Sequence, residues 1–147
     1  MKKNAKSLLK FFMALNFLAV LITIYLTMMH YDNSLAEPCQ LNSFLDCGVV
    51  NKSKYSLLFG IPVSVLGLLN YTFLVISALV IYLEKIKSKK FLNFLIAIVV
   101  FGIGFSLYLT YIEFFVIRAA CILCLAQQVI IIMDLVALLA LKRYLKE

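Results

Sequence analysis

Residues 62–83 read PVSVLGLLNYTFLVISALVIYL, 22 positions without a charged side chain, opened by a proline and followed by Glu84-Lys85. A stretch of that length and polarity decides the fold class. Crossing ~30 Å of hydrocarbon takes roughly 20 mostly apolar residues, because a helix rises ~1.5 Å per residue. Pro62 suits the first helical turn, where its missing N–H costs nothing. Three further runs reach the same length, at about 11–29, 91–111 and 119–141. Backbone groups in lipid must satisfy one another, so all four are expected to be helices. The reading is an all-α integral membrane protein, a four-transmembrane-helix bundle forming one domain over residues 1–147. One loop at about 30–61 and two short connections remain, leaving no room for a separate soluble domain. Composition agrees: 65% of residues are hydrophobic and the mean hydropathy is +1.04, whereas ordinary globular chains are ~45–50% apolar.

A net charge of +7 invites a nucleic-acid reading, but its distribution argues otherwise. Lys2, Lys3, Lys6 and Lys10 precede the first span, Lys85, Lys87, Lys89 and Lys90 join the second to the third, and Lys142, Arg143 and Lys146 follow the fourth. Of the 14 basic residues, only Lys52, Lys54 and Arg118 lie on the other side. The positive-inside rule then places both termini in the cytoplasm, with the long loop and the Glu113–Arg118 turn outside, and no nucleic-acid partner is expected. Ser34-Leu35-Ala36 resembles a signal-peptide cleavage site. The preceding apolar run exceeds the ~7–15 residues of a signal peptide, so a retained span is expected. In the loop, Asp46-Cys47-Gly48 reads as a turn and the apolar Tyr55–Phe59 stretch as dipping into the interface. Gly67, Gly102 and Gly104 suit close helix approach.

All four cysteines fall at this one predicted outer edge: Cys39 and Cys47 in the loop, Cys121 and Cys124 as a Cys-Ile-Leu-Cys step opening the last span. Four cysteines allow three pairings, and an oxidising exterior permits disulfides. If the purpose were stapling, local pairs are a poor choice. In the chain-entropy model, Cys121–Cys124 contributes roughly 2 kcal/mol, Cys39–Cys47 roughly 2.6, and a long Cys47–Cys121 bridge roughly 4.5. Local pairs that a third connection can cross-link suit the passing of a disulfide along. At a helix start, free N–H groups and the positive dipole end favour a thiolate at Cys121, with Arg118 three residues before it. Cys124, one turn further in, faces apolar surroundings. Tetrahedral zinc is disfavoured: Cys39 and Cys47 have seven residues between them rather than two to four, and no metal is expected.

This ordered set resembles the vitamin K epoxide reductase family, in its bacterial disulfide-forming branch. The Cys-x7-Cys loop pair is followed by Ser53 six residues after Cys47, by Phe59-Gly60 six further on, and by the Cys-x-x-Cys at the head of the last helix. Phe59-Gly60-Ile61-Pro62 and Leu107-Tyr108-Leu109-Thr110-Tyr111 also look like bacterial members, so the resemblance covers nearly the whole chain. The other quinone-linked disulfide-forming membrane family has its Cys-x-x-Cys in the first outer loop, the reverse order. The resemblance implies a thiol–quinone oxidoreductase of the bacterial inner membrane. It would reoxidise an extracytoplasmic thioredoxin-fold protein supplied by a separate chain. Cys39 would meet that partner, Cys47 would exchange with Cys121, and Cys124 would pass electrons to a menaquinone, ubiquinone or similar molecule. Cys124, Ser53, Phe59 and Gln128 are the implied quinone contacts. The animal enzymes carry a tyrosine where this chain has Gln128, which argues against vitamin K epoxide as substrate. A membrane scaffold with static disulfides is the competing class.

Other polar residues are weighed singly. Asp134, ten residues beyond Cys124, is about 15 Å deeper at helical rise and is expected to be structural, paired with Lys142 or Arg143. His30 reads as an interfacial residue rather than a proton relay. Glu113 and Arg118 read as a solvated charge pair bracketing the short turn. Gln127, Gln128 and Asn70 are equally suited to a quinone or to a neighbouring helix.

Overall fold

The computed structural model describes residues 2–146. It consists of helices α1 (Lys3–Tyr31), the short α2 (Cys47–Asn51), α3 (Val63–Tyr82), α4 (Lys89–Ile112) and α5 (Ile122–Lys146). The four long helices are long and apolar enough to cross a membrane. Helices α1, α4 and α5 overrun the apolar runs at the lysine-rich end, where long side chains keep their charges in water while their stems stay on the helix.

Helix α1 is the centre of the bundle. Its buried residues, Ala5, Leu9, Phe12, Asn16, Ala19, Thr23, Leu26 and Met29, recur every three or four positions and form one stripe. Along that stripe it packs against α3 and α5, and α5 packs in turn against α4. Gly67 lets α3 approach α1: a Cβ there would lie 3.2 Å from Thr23 Cγ2. Gly102 does the same between α4 and α5, since a Cβ would fall 2.6 Å from Ile131 Cδ1, whereas Gly104 faces open space and has no such role. The ring of helices is thus α3, α1, α5, α4. Between α3 and α4, which touch only lightly, Phe73 meets Phe94 edge-on at 6.4 Å between centroids. At the lysine-rich end, Lys6 and Lys10 lie over the Tyr82 ring at 5.6 and 5.8 Å, joining the start of α1 to the end of α3.

Asp134 departs from its expected pairing. It is fully buried, and its Oδ1 accepts a 2.8 Å hydrogen bond from Asn16 Nδ2 across the α1–α5 contact. Lys142 is eight residues away along the same helix, about 12 Å by helical rise and beyond reach of a short carboxylate. The nearer polar group on the neighbouring helix takes its place.

The loop is ordered by its own caps. Asp46 opens α2 rather than a turn, its carboxylate accepting from Gly48 N (2.9 Å) and Val49 N (3.2 Å). The stretch expected to dip into the interface ends as a two-residue hairpin. Leu57–Leu58 pairs with Ile61–Pro62 around Phe59 and Gly60, both at positive φ (54° and 79°), and Pro62 caps α3 from outside it.

The Asn16–Asp134 bond yields a stability prediction. Asn16→Leu and Asp134→Leu should each lower thermal stability in detergent by about 1–3 kcal/mol, because each strands a buried partner. A double-mutant cycle should return a coupling of about 0.6–1.7 kcal/mol. Strictly additive losses would mean that the two side chains do not support each other.

Candidate active site

Two backbone hydrogen bonds assemble the site. Ala120 N donates to Phe44 O (2.7 Å) and Asp46 N donates to Ala120 O (3.0 Å), a short parallel pairing of the loop with the segment before α5. Phe44 packs on Phe114 at 5.6 Å between ring centroids, backing the same contact. The residue after each bonded partner is a cysteine: Cys47 follows Asp46, and Cys121 follows Ala120. Cys39, Cys47 and Cys121 therefore share one buried cluster with Leu26, Met29, Val50 and Ala119, and Cys124 packs against its side. Cys39 and Cys47 form a disulfide with Cα atoms 5.6 Å apart, and Cys121 and Cys124 are free thiols. Cys39 is 6% exposed and Cys47 fully buried, so Cys39 is the more accessible of the two sulfurs.

The start of α5 shapes the second pair. Cys121 sits one residue before the helix, and its Sγ accepts the Cys124 N–H at 3.3 Å, as a capping side chain would. Its thiol is held below its ordinary pKa first by a hydrogen bond from the Cys124 side chain. Backbone N–H groups add to this, against the opposing effects of burial and of the Glu113 charge. Arg118 plays no part in that shift. It is exposed, and its left-handed backbone (φ 57°) ends the wide turn Glu113–Ile117.

Glu113 corrects its sequence reading as a solvated partner of Arg118. It is 4% exposed, and its Oε2 accepts from Cys121 N at 3.2 Å. Its own carbonyl accepts from the Arg118 and Ala119 N–H groups, so the turn folds back over it. Among the described residues no ion pair joins the two side chains. The missed signal was a single acidic residue closing an otherwise apolar span eight positions before the Cys-x-x-Cys, since an acidic group at membrane depth is a functional candidate by default.

Beside Cys124 lies a cavity of about 410 Å³ between α3 and α4, walled mainly by apolar side chains. Ser53, Ser64, Asn70, Glu113, Cys124 and Gln127 are among its polar lining groups. Ser64 Oγ and Gln127 Nε2 are buried without a hydrogen-bond partner in the structure. Of the implied quinone contacts, Ser53 and Cys124 line this cavity. Phe59 does not: it is the hairpin tip, 97% exposed. Gln128 does not either, and its Oε1 accepts from Thr110 Oγ1 at 2.6 Å. Gln127, one position earlier, takes the place on the cavity wall. His30 has a structural partner, with Nδ1 3.0 Å from Asn51 O, while Asn51 Nδ2 donates to Leu26 O at 2.6 Å. These bonds tie α2 to the end of α1.

The sequence profile of the vitamin K epoxide reductase family matches residues 10–139. Among curated proteins, none matches the chain.

A cross-linking prediction follows from the backbone bridge. With Cys39→Ala and Cys124→Ala combined, Cys47 and Cys121 should close into a disulfide under mild oxidant, read by intact mass. Adding Ala120→Pro removes the donor to Phe44 O. The yield should then fall by roughly three- to tenfold, the equivalent of one hydrogen bond worth ~1 kcal/mol. An unchanged yield would mean that the bridge does not set the approach of the two thiols.

Proposed function

Since the chain belongs to the vitamin K epoxide reductase family, whose enzymes act with quinones, we propose that it is a membrane thiol–quinone oxidoreductase that reoxidises an extracytoplasmic thioredoxin-fold protein and so supports disulfide formation. One observation carries this reading: a bonded and a free cysteine pair meet in one cluster, and Cys124 of the free pair borders an apolar cavity.

That cavity suits a quinone ring. Its walls are apolar, and the unpartnered donors Ser64 Oγ and Gln127 Nε2 match the need of ring carbonyls for hydrogen bonds. When bound, a quinone supplies the oxidising power, taking up two electrons and two protons. Phe101 lines the cavity and is exposed on the bundle's outer face, so the α3–α4 gap gives a lateral way in from lipid. Ser53, whose hydroxyl donates to Val50 O at 2.9 Å, shapes the loop side of the same wall.

Each sulfur step is attack by a thiolate on a disulfide. A partner thiolate attacks Cys39 and Cys47 leaves; the partner's second thiol resolves the mixed disulfide, and the partner departs oxidised. Cys47 then attacks Cys121 of a closed Cys121–Cys124 pair and displaces Cys124. Cys39 attacks Cys47 in turn, which restores Cys39–Cys47 and leaves Cys121 and Cys124 reduced. The low Cys121 thiol favours its role as leaving group in the last attack. A static scaffold gives no reason for a free thiol pair with Cys124 on the wall of a cavity.

Purified protein should reduce added quinone at the expense of a dithiol, and Cys124→Ala should abolish turnover; full activity in that variant would rule out the electron path. Cys47→Ala should still oxidise a small dithiol at Cys121–Cys124 while oxidation of a thioredoxin-fold protein stops. Equal loss with both donors would contradict the relay.

A further inference from the structure

Opening and closing the Cys121–Cys124 pair moves protons as well as electrons. When the pair closes, two S–H bonds break, one S–S bond forms, two electrons go to the acceptor and two protons must leave. Both thiols lie away from bulk water: Cys121 is fully buried, and Cys124 faces the apolar cavity. Direct loss of a proton to solvent is therefore poorly provided for. Proton transfer to a positioned side chain is the usual remedy, and a carboxyl group in a low-dielectric site can serve.

One such group is in place. We propose that Glu113 is the proton-transfer residue of the Cys121–Cys124 pair, its carboxylate taking one thiol proton as the pair closes and releasing it to the acceptor across the cavity, while the other thiol's proton passes to the acceptor directly, so that the acceptor takes up both electrons and both protons. The inference deepens the thiol–quinone reading and rests on it. Glu113 is buried, is held against the motif by the Cys121 N–H, and lines the same cavity as Cys124. Its charge acts on the Cys121 thiol, so the two groups are electrostatically coupled. The bonds from Arg118 and Ala119 to its carbonyl fix the turn that carries it, and the Cys121 N–H holds its carboxylate. The other titratable groups on the cavity are Tyr55, Tyr71 and Cys124, and Tyr71 is already spoken for by Gln127 O at 3.4 Å. Arg118 on the same turn is exposed. A merely structural Glu113 would need only an acceptor for Cys121 N, which a glutamine oxygen supplies equally well.

The test uses the full-length protein in single turnover and follows closure of the reduced Cys121–Cys124 pair by alkylation and mass. A short-chain quinone or a small disulfide serves as oxidant, from about pH 5 to 9. Glu113→Gln should slow closure by about a hundredfold with either oxidant and remove the pH dependence that wild type shows, while Glu113→Asp should restore part of both. Wild-type rate and pH profile in Glu113→Gln would overturn the proton role. Failure of wild type with quinone alone, the Glu113 effect persisting with the small disulfide, would instead remove the quinone reading and leave this one standing. An intact Cys39–Cys47 bond reports native loop closure in each variant. Should Glu113→Gln lose it, Glu113→Asp decides: a slower rate with a displaced pH profile supports the role, and a wild-type profile overturns it.

Discussion

The pairing of Phe44–Asp46 with Ala120 is the contact on which the chemistry depends. Cys47 and Cys121 are remote in sequence, and nothing local brings them together. Two backbone hydrogen bonds, worth ~0.5–1.5 kcal/mol each, set the register, and a register slip of one residue would turn each side chain to the opposite face. Because the bonded residues immediately precede Cys47 and Cys121, the register is also the alignment of the thiols. The Cys39–Cys47 bond and the Asp46 cap stiffen the loop on one side of the bridge. The Glu113 turn stiffens the chain on the other.

The bundle behind that bridge is asymmetric in a way that serves it. Helix α1 is packed on two sides, and the Asn16–Asp134 bond adds a directional tie to its contact with α5. Gly67 and Gly102 bring two further helix pairs close. The remaining side, between α3 and α4, is left loosely joined, and the cavity occupies that gap. A rigid back and an open front let one small bundle hold cysteines in place and keep an apolar cavity beside Cys124.

Electrostatics at the motif follows from the helix start more than from any cation. Cys121 receives the first free N–H groups of α5 and the Cys124 thiol, whereas Arg118 is exposed and does not contribute. The charge that acts on the pair is instead the buried carboxylate of Glu113, which opposes a thiolate at Cys121. Thiolate and carboxylate thus oppose each other across the short turn that Glu113 begins.

The sequence by itself determined what lipid imposes locally: four apolar runs of spanning length, lysines gathered at one set of ends, and two cysteine pairs at the other. Each of these is a one-dimensional property, set by composition along consecutive residues. The rotation of each helix was decided only in the tertiary structure. A helix turns by roughly 100° per residue, so Gln127 and Gln128 face different neighbours. A span that is apolar all round carries no moment to say which faces inward. That is why Gln127 rather than Gln128 lines the cavity and why Asp134 meets Asn16 rather than a lysine. Glu113 is buried against Cys121 for a related reason: its partner is a backbone N–H, which every residue but proline carries and no sequence pattern marks.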